Sequence, residues 1–436
     1  MKKKVCALLL SAAMMACGLT GCGGTDANVG SSAPATDSKA SSEASSEAPA
    51  TDPISNLIAA TTGTVELTVW ASEEDQDLTK NLIADFEAAY PDVDFNITLG
   101  AESESTCKDT VLVDVEAAAD VYTFADDQIN ELVKAGALQS VSATYTYDVA
   151  TSNVAGAVEA ASVDGTLYAY PMTADNGYFM FYDKSIFTED DVKSLEKMLE
   201  VAAANDKKVA MCVADGWYIY SFFKGAGFDM SLNADGSNSC NWNEAGGTDV
   251  AQGILDLFAT GSFVNMTDEE MATAITEGTI AACVNGTWRA ATAAEAWGEN
   301  YAATKLPTYK VAGTDTQMSS FSGYKLIGVN PHSDNIGWSM LLAEHLTSEA
   351  SQVARFEARG LGPANINAAA SEAVQADPAI AALAEQAAYA TPQRVGGNYW
   401  SPAQTLGQIL SSGNPDGTEL QELLDTAVTG IVAPVQ

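Results

Sequence analysis

The sequence predicts an α/β protein whose body, residues 63–436, exceeds one compact core, and three observations carry that prediction. Val65-Glu66-Leu67-Thr68-Val69 alternates apolar and polar residues with period two, after which Leu78, Leu82, Ile83, Phe86 and Tyr90 recur at helical spacing. Pro91 ends that helix, and Val93, Phe95 and Ile97 alternate again, completing a strand–helix–strand unit that implies a parallel sheet. The length of the body then leaves two domains or one large α/β enzyme.

Further elements follow in order. Ala119 to Phe124 reads as a third strand, and Asp127 begins a helix with Ile129, Leu132 and Val133 inside, stopped at Gly136. Past Gly165 the texture shifts to Tyr168-Ala169-Tyr170-Pro171 and the aromatic run Tyr178-Phe179-Met180-Phe181-Tyr182, where a new lobe begins. Helices are expected over 192–205 and 248–260, and strands over 209–213 and 280–284. Ala-rich helices, among them 378–388, dominate from Trp338 onward. No fixed-period repeat marks a solenoid.

The first residues carry their own message. Lys2, Lys3 and Lys4 precede a short apolar run to Ala16, too short to span a bilayer, which reads as an export signal over 1–21. Leu19-Thr20-Gly21-Cys22 resembles the bacterial lipobox, which implies cleavage before Cys22 and lipid on its thiol. Lipid chains bury methylenes at about 0.8 kcal/mol each, so two chains hold a protein at a surface. Residues 22–62 are mostly Ser, Ala, Thr, Asp, Glu, Gly and Pro, and are expected to form a disordered tether.

Composition excludes several functions. The net charge of −38 falls to −41 once residues 1–21, with three lysines and no acids, are removed, so no basic footprint exists for nucleic acid. Cys6 and Cys17 lie in the signal, leaving Cys107, Cys212, Cys240 and Cys283 without a CxxC pair; buried free thiols are expected, with no metal or cofactor. Asn233, Asp235, Ser237 and Glu244 fall on calcium-loop offsets, but Asn238 stands where that loop needs glycine, so a polar hairpin is the better reading. Nucleophile, phosphate-loop, dinucleotide and zinc motifs are missing from the sequence, and His332 and His345 are its two histidines.

What the loops do offer is flat aromatics beside acids, at the ends of strands where α/β sheets bind ligands. Trp70 to Asp75, Phe124 to Asp127, Asp215 to Tyr220 and Asn285 to Trp288 all follow predicted strands. A sugar ring needs an aromatic platform for its C–H faces and fixed acceptors for its hydroxyls. Asp215-Gly216-Trp217-Tyr218-Ile219-Tyr220, Asn285-Gly286-Thr287-Trp288 and Asn398-Tyr399-Trp400 supply both kinds of group. Trp242, between two asparagines, reads as hairpin packing instead.

These segments, taken in order, resemble the extracellular solute-binding proteins of ABC importers, and within them the maltose/maltodextrin-binding group. The resemblance spans residues 64–430 and rests on Leu67-Thr68-Val69-Trp70, Ala84-Asp85-Phe86-Glu87, Ala119-Asp120-Val121, Ala135-Gly136-Ala137-Leu138, Tyr170-Pro171, Tyr182-Asp183-Lys184, Gly278 through Trp288, Leu306-Pro307, Asp377-Pro378-Ala379-Ile380 and Tyr399-Trp400. It implies two α/β lobes joined by hinge segments, residues 63–173 plus 323–373 and residues 174–322 plus 374–436, with ligand in the cleft between them. It also implies sugar platforms at Trp288, Trp400 and Trp217, with Tyr399 beside them, and hydroxyl-accepting acids at Asp215, Asp175, Asp126 and Asp127. Phe124 stands where maltose binders carry a tryptophan. Glu73-Glu74-Asp75 replaces an acid–lysine pair, so Glu74 keeps the acid role while the basic contact is lost, and Gln128 replaces an arginine.

The expected protein is therefore not an enzyme. It is a monomer, lipid-anchored through Cys22 at the extracellular face of the membrane, that captures malto-oligosaccharides and passes them to an ABC permease. Two rivals remain: a binder of a β-linked or galactose-containing oligosaccharide, and a surface glycoside hydrolase using carboxylates about 5 to 9 Å apart.

Overall fold

A computed structural model of the chain describes residues 52–142, 144–233 and 235–434. The predicted signal, Cys22 and most of the tether lie outside these residues. The tether's last stretch is a correction: Pro53–Ala60 is a helix, with the Asp52 carboxylate accepting from Ser55 N at 3.2 Å and Pro53 preset in its first turn. Ile54, Leu57 and Ile58 pack against the first hydrophobic core, and Trp338 Nε1 donates to Thr61 Oγ1 at 2.8 Å.

Two five-stranded sheets organise the fold. In the first, the spatial order is Phe95–Ala101, Val65–Ala71, Val121–Ala125, Lys325–Val329 and Ala169–Thr173. Its first three strands are parallel, as the strand–helix–strand pattern predicts, whereas Lys325–Val329 runs antiparallel to both neighbours. That strand arrives from far along the chain, so local periodicity could not announce it. Val65, Leu67 and Val69 enter the core on one face, with Phe86 from the helix Gln76–Ala89 and Leu342 from the helix Ile336–Leu346. Tyr122 and Phe124 enter a second core on the other face, with Ile129 and Leu132 of the helix Ile129–Lys134, which ends before Gly136 at φ +69°.

The second sheet repeats the plan in the order Phe263–Asn265, Lys208–Met211, Ile280–Asn285, Phe179–Asp183 and Tyr301–Thr304. The aromatic run is explained by burial on both faces: Met180 and Tyr182 enter one core while Phe179 and Phe181 enter the other. The calcium-like offsets form the hairpin Met230–Leu232 and Asn238–Cys240, and no metal-holding acid cluster occurs among the described residues. Trp242 just beyond is fully buried, its ring stacked 4.3 Å from that of Phe223.

The chain passes from the first sheet to the second between Thr173 and Phe179 and returns between Ser322 and Lys325. A third passage follows the helix Glu349–Arg359 and leads to the helix Pro378–Gln386, whose Ala379 and Ala382 pack on Phe179 and Phe181. No helix among the described residues is long and apolar enough to cross a membrane. Cys107, Cys212, Cys240 and Cys283 are free, and burial pushes the thiols of Cys212 and Cys283 up to about 12 and that of Cys240 up to about 11.

Candidate functional site

The sheets meet where Ile280–Asn285 ends and Lys325–Val329 begins. The turn after Ile280–Asn285 is held from inside: the buried Asn285 amide donates to Asp268 Oδ1 at 2.8 Å, its Oδ1 accepts from Gly286 N at 2.8 Å, and Arg289 pairs with Asp268. With Asn285, Gly286 and Thr287 buried, Trp288 is left half-buried, its indole lying where a Cβ on residue 286 would stand. Glycine at 286 is therefore a steric requirement of the platform.

Trp217 faces this indole from the first turn of the helix Gly216–Gly225. Asp215 caps that helix, its Oδ1 accepting from Trp217 N at 2.7 Å, and Tyr178 OH donates to Trp217 O at 2.9 Å. The Trp217 and Trp288 ring centroids are 5.8 Å apart and tilted by 36°. Trp217 Nε1 donates to Gln393 Oε1 at 2.7 Å, and Gln393 N donates to Ser322 O at 2.8 Å, so a residue at the return passage fixes the indole. Trp400, half-buried, begins the helix Trp400–Ser411; its carbonyl lies against Gly216 and its ring against Tyr399 at 5.1 Å.

The acids divide into two kinds. Asp126 and Asp127 follow Val121–Ala125; Asp126 Oδ1 accepts from Tyr324 N at 3.1 Å, while Asp127 Oδ1 is buried without a hydrogen-bond partner among the described residues. Burial pushes both carboxyls up to about 7, with the Asp126 charge adding to the effect on Asp127 and the Gln393 side chain opposing it. Burial likewise raises Asp215, against the pull of its bond from Trp217 N. Asp175 is buried as well, and its two oxygens differ. Its Oδ2 accepts from Thr287 Oγ1 at 2.5 Å and Gly362 N at 2.6 Å, so it braces the tryptophan turn against the third passage, while its Oδ1 is buried without a hydrogen-bond partner among the described residues.

Two more of the residues expected at the site are buried. Phe124 is fully buried beside Tyr122, because strand alternation turns both toward the helix Ile129–Lys134. Tyr399 is fully buried as well, donating its hydroxyl to Gly216 O at 2.7 Å and packing edge-on against Trp242, Phe321 and Trp400. Both support the site from within. Glu74 is exposed at the rim, its carbonyl accepting from Arg359 Nη1 at 2.9 Å. The buried acid there is its neighbour Asp75, 3.3 Å from Arg359 Nε and 3.8 Å from Arg355 Nε.

Sequence reasoning missed Gln393, Asp75 and Lys325. Lys325 Nζ stands 5.3 Å over the Trp288 ring and 3.7 Å from Glu104 Oε1. A lysine heading an otherwise apolar strand, Lys325-Leu326-Ile327-Gly328-Val329, is the one signal that could have drawn attention to it.

The raised carboxyls make stability depend on pH. An unfolded Asp127 ionises near 3.8, while the folded one keeps its proton to about 7, so the native state binds the extra proton between those values and its stability falls as pH rises through that window. Asp127→Asn is therefore expected to stabilise the sugar-free protein at pH 8 by roughly 1–2 kcal/mol and to change little at pH 4. Scanning calorimetry at both pH values checks this; no gain at pH 8 contradicts it.

The family model described as bacterial extracellular solute-binding protein matches residues 81–382. A solved structure with acarbose is 33% identical, over 85% of this chain and 99% of its own, at a TM-score of 0.75. The maltodextrin binding protein MalE1 from L. casei BL23, solved without ligand, is 25% identical over 85% of this chain and all of its own, at a TM-score of 0.70. The maltose/maltodextrin-binding domain MalE from Bdellovibrio bacteriovorus, bound to maltotriose, shares the fold at 18% identity and a TM-score of 0.73, over 84% of this chain and 98% of its own. No curated protein sequence matches the chain.

Proposed function

The chain belongs to the bacterial extracellular solute-binding proteins, and from that membership we propose that its two-lobe cleft captures malto-oligosaccharides. Members of this family are binding components of transport rather than enzymes, which sets aside the glycoside hydrolase. The observation that carries the ligand is the pair of indoles, Trp217 and Trp288, set 5.8 Å apart with Asp126, Asp127 and Asp215 nearby as acceptors. Flat faces with fixed acceptors suit a pyranose chain. The similarity to a structure with acarbose and to a maltodextrin binding protein supports the same ligand class.

In this reading Trp288, Trp217 and Trp400 stack on sugar rings, Asp126, Asp127 and Asp215 accept from hydroxyls, and Glu74 reaches in from the rim. The lobes comprise residues 63–173 with 323–373 and residues 174–322 with 374–436. A sugar that touches both favours the closed arrangement by its differential affinity for it. The protein works as a monomer, tethered by lipid on Cys22 at the extracellular face, and delivers its sugar to an ABC permease. Calorimetric titration with maltose through maltoheptaose tests the ligand. Heat with at least one of them is expected; no heat with any, beside clear heat with a β-linked or galactose-containing sugar, overturns the assignment.

A further inference from the structure

The ring and bridging oxygens of a sugar chain accept hydrogen bonds and never donate, so a cation beside an aromatic platform is suited to meet them. Trp217 Nε1 is already engaged with Gln393. Lys325 is such a cation. Its side chain is 14% exposed, its ammonium lies over the Trp288 ring, and it makes no hydrogen bond to any described residue. Glu104, at 3.7 Å, is beyond hydrogen-bond reach. Burial pulls this ammonium down, yet Glu104, Asp175 and Asp75 together outweigh both burial and Arg359 and hold it charged. An ammonium so placed, paired at 3.7 Å and still within reach of solvent, has donors to offer an acceptor that enters the site.

We propose that Lys325 contacts the ligand, donating to oxygens of the sugar unit held at Trp288. The assignment deepens the oligosaccharide reading and rests on it. Lys325 belongs to the first sheet and Trp288 follows a strand of the second, so one sugar ring between them would join the two halves. A ring that touched the indole alone would gain nothing from closure; one that also meets Lys325 would.

Maltotriose titrations of the parent, Lys325→Met, Lys325→Arg and Glu104→Gln decide it, with sugar-free thermal midpoints as the fold control. Lys325→Met is expected to weaken binding about tenfold or more, the effect of losing a charge-assisted bond, while Lys325→Arg and Glu104→Gln stay within about threefold of the parent. Lys325→Met binding as tightly as the parent, or Glu104→Gln losing as much as Lys325→Met, overturns the contact and leaves an ion pair. A parent that binds no maltodextrin overturns the oligosaccharide reading first, and the assignment with it. Should Lys325→Met not fold, reductive methylation of the parent read by peptide mass replaces it: saturating maltotriose is expected to slow labelling at Lys325 and not at the exposed Lys310. Equal labelling of Lys325 with and without sugar overturns the proposal.

Discussion

Replacing Trp288 and Trp400 together by alanine is expected to weaken maltotriose binding by about 100-fold, the loss of two aromatic anchors worth roughly 1.5 kcal/mol each. Trp288 should account for the larger share. Its turn is fixed by Asn285, Thr287 and Arg289, so truncating the indole removes a platform and leaves its support in place. Trp400 also packs on the second sheet's core, and Trp400→Ala should cost some stability as well as affinity. Circular dichroism of the double variant separates the two effects, and titration calorimetry supplies the affinity.

The second large effect concerns stability. Asp175→Ala is expected to destabilise the sugar-free protein by about 3 kcal/mol, since it strands the buried Thr287 hydroxyl and Gly362 N–H at once. Asp175→Asn keeps one acceptor and should cost less. Urea unfolding measures both. A loss below about 1 kcal/mol for Asp175→Ala, within the ordinary range for surface positions, would contradict the bracing role.

Trp288 and Asp175 differ in how much of their setting the neighbouring sequence carries. A strand, an asparagine–glycine turn and a tryptophan come in unbroken order, so the place of Trp288 just past a strand end could be read from the chain itself. The setting of Asp175 could not be read that way. Its partners Thr287 and Gly362 lie more than a hundred residues away, so its bracing contacts come from the tertiary fold alone. The burial of Phe124 and Tyr399 was hidden for a related reason: only the register of the strand or the pitch of the helix decides which of two neighbours turns inward.

The first three parallel strands could be read from periodicity, but the fourth could not, because Lys325–Val329 enters the first sheet after the whole second sheet has been built. Lys325, which heads that strand, was invisible for the same reason, and Gln393 meets Trp217 only because Ala390–Pro392 pairs beside Ser320–Ser322. The helix Pro53–Ala60 was masked by the polar composition around it, although Asp52-Pro53 followed by Ile54, Leu57 and Ile58 holds a cap, a starter and an apolar face.

In the proposed mode of binding, a pyranose chain lies against Trp288 between the two sheets. A crystal structure of the protein grown with maltotriose tests this most directly. The account predicts a sugar ring within van der Waals contact of the Trp288 indole and hydroxyls within hydrogen-bond reach of Asp126 or Asp127; sugar bound elsewhere, with that indole bare, would contradict it.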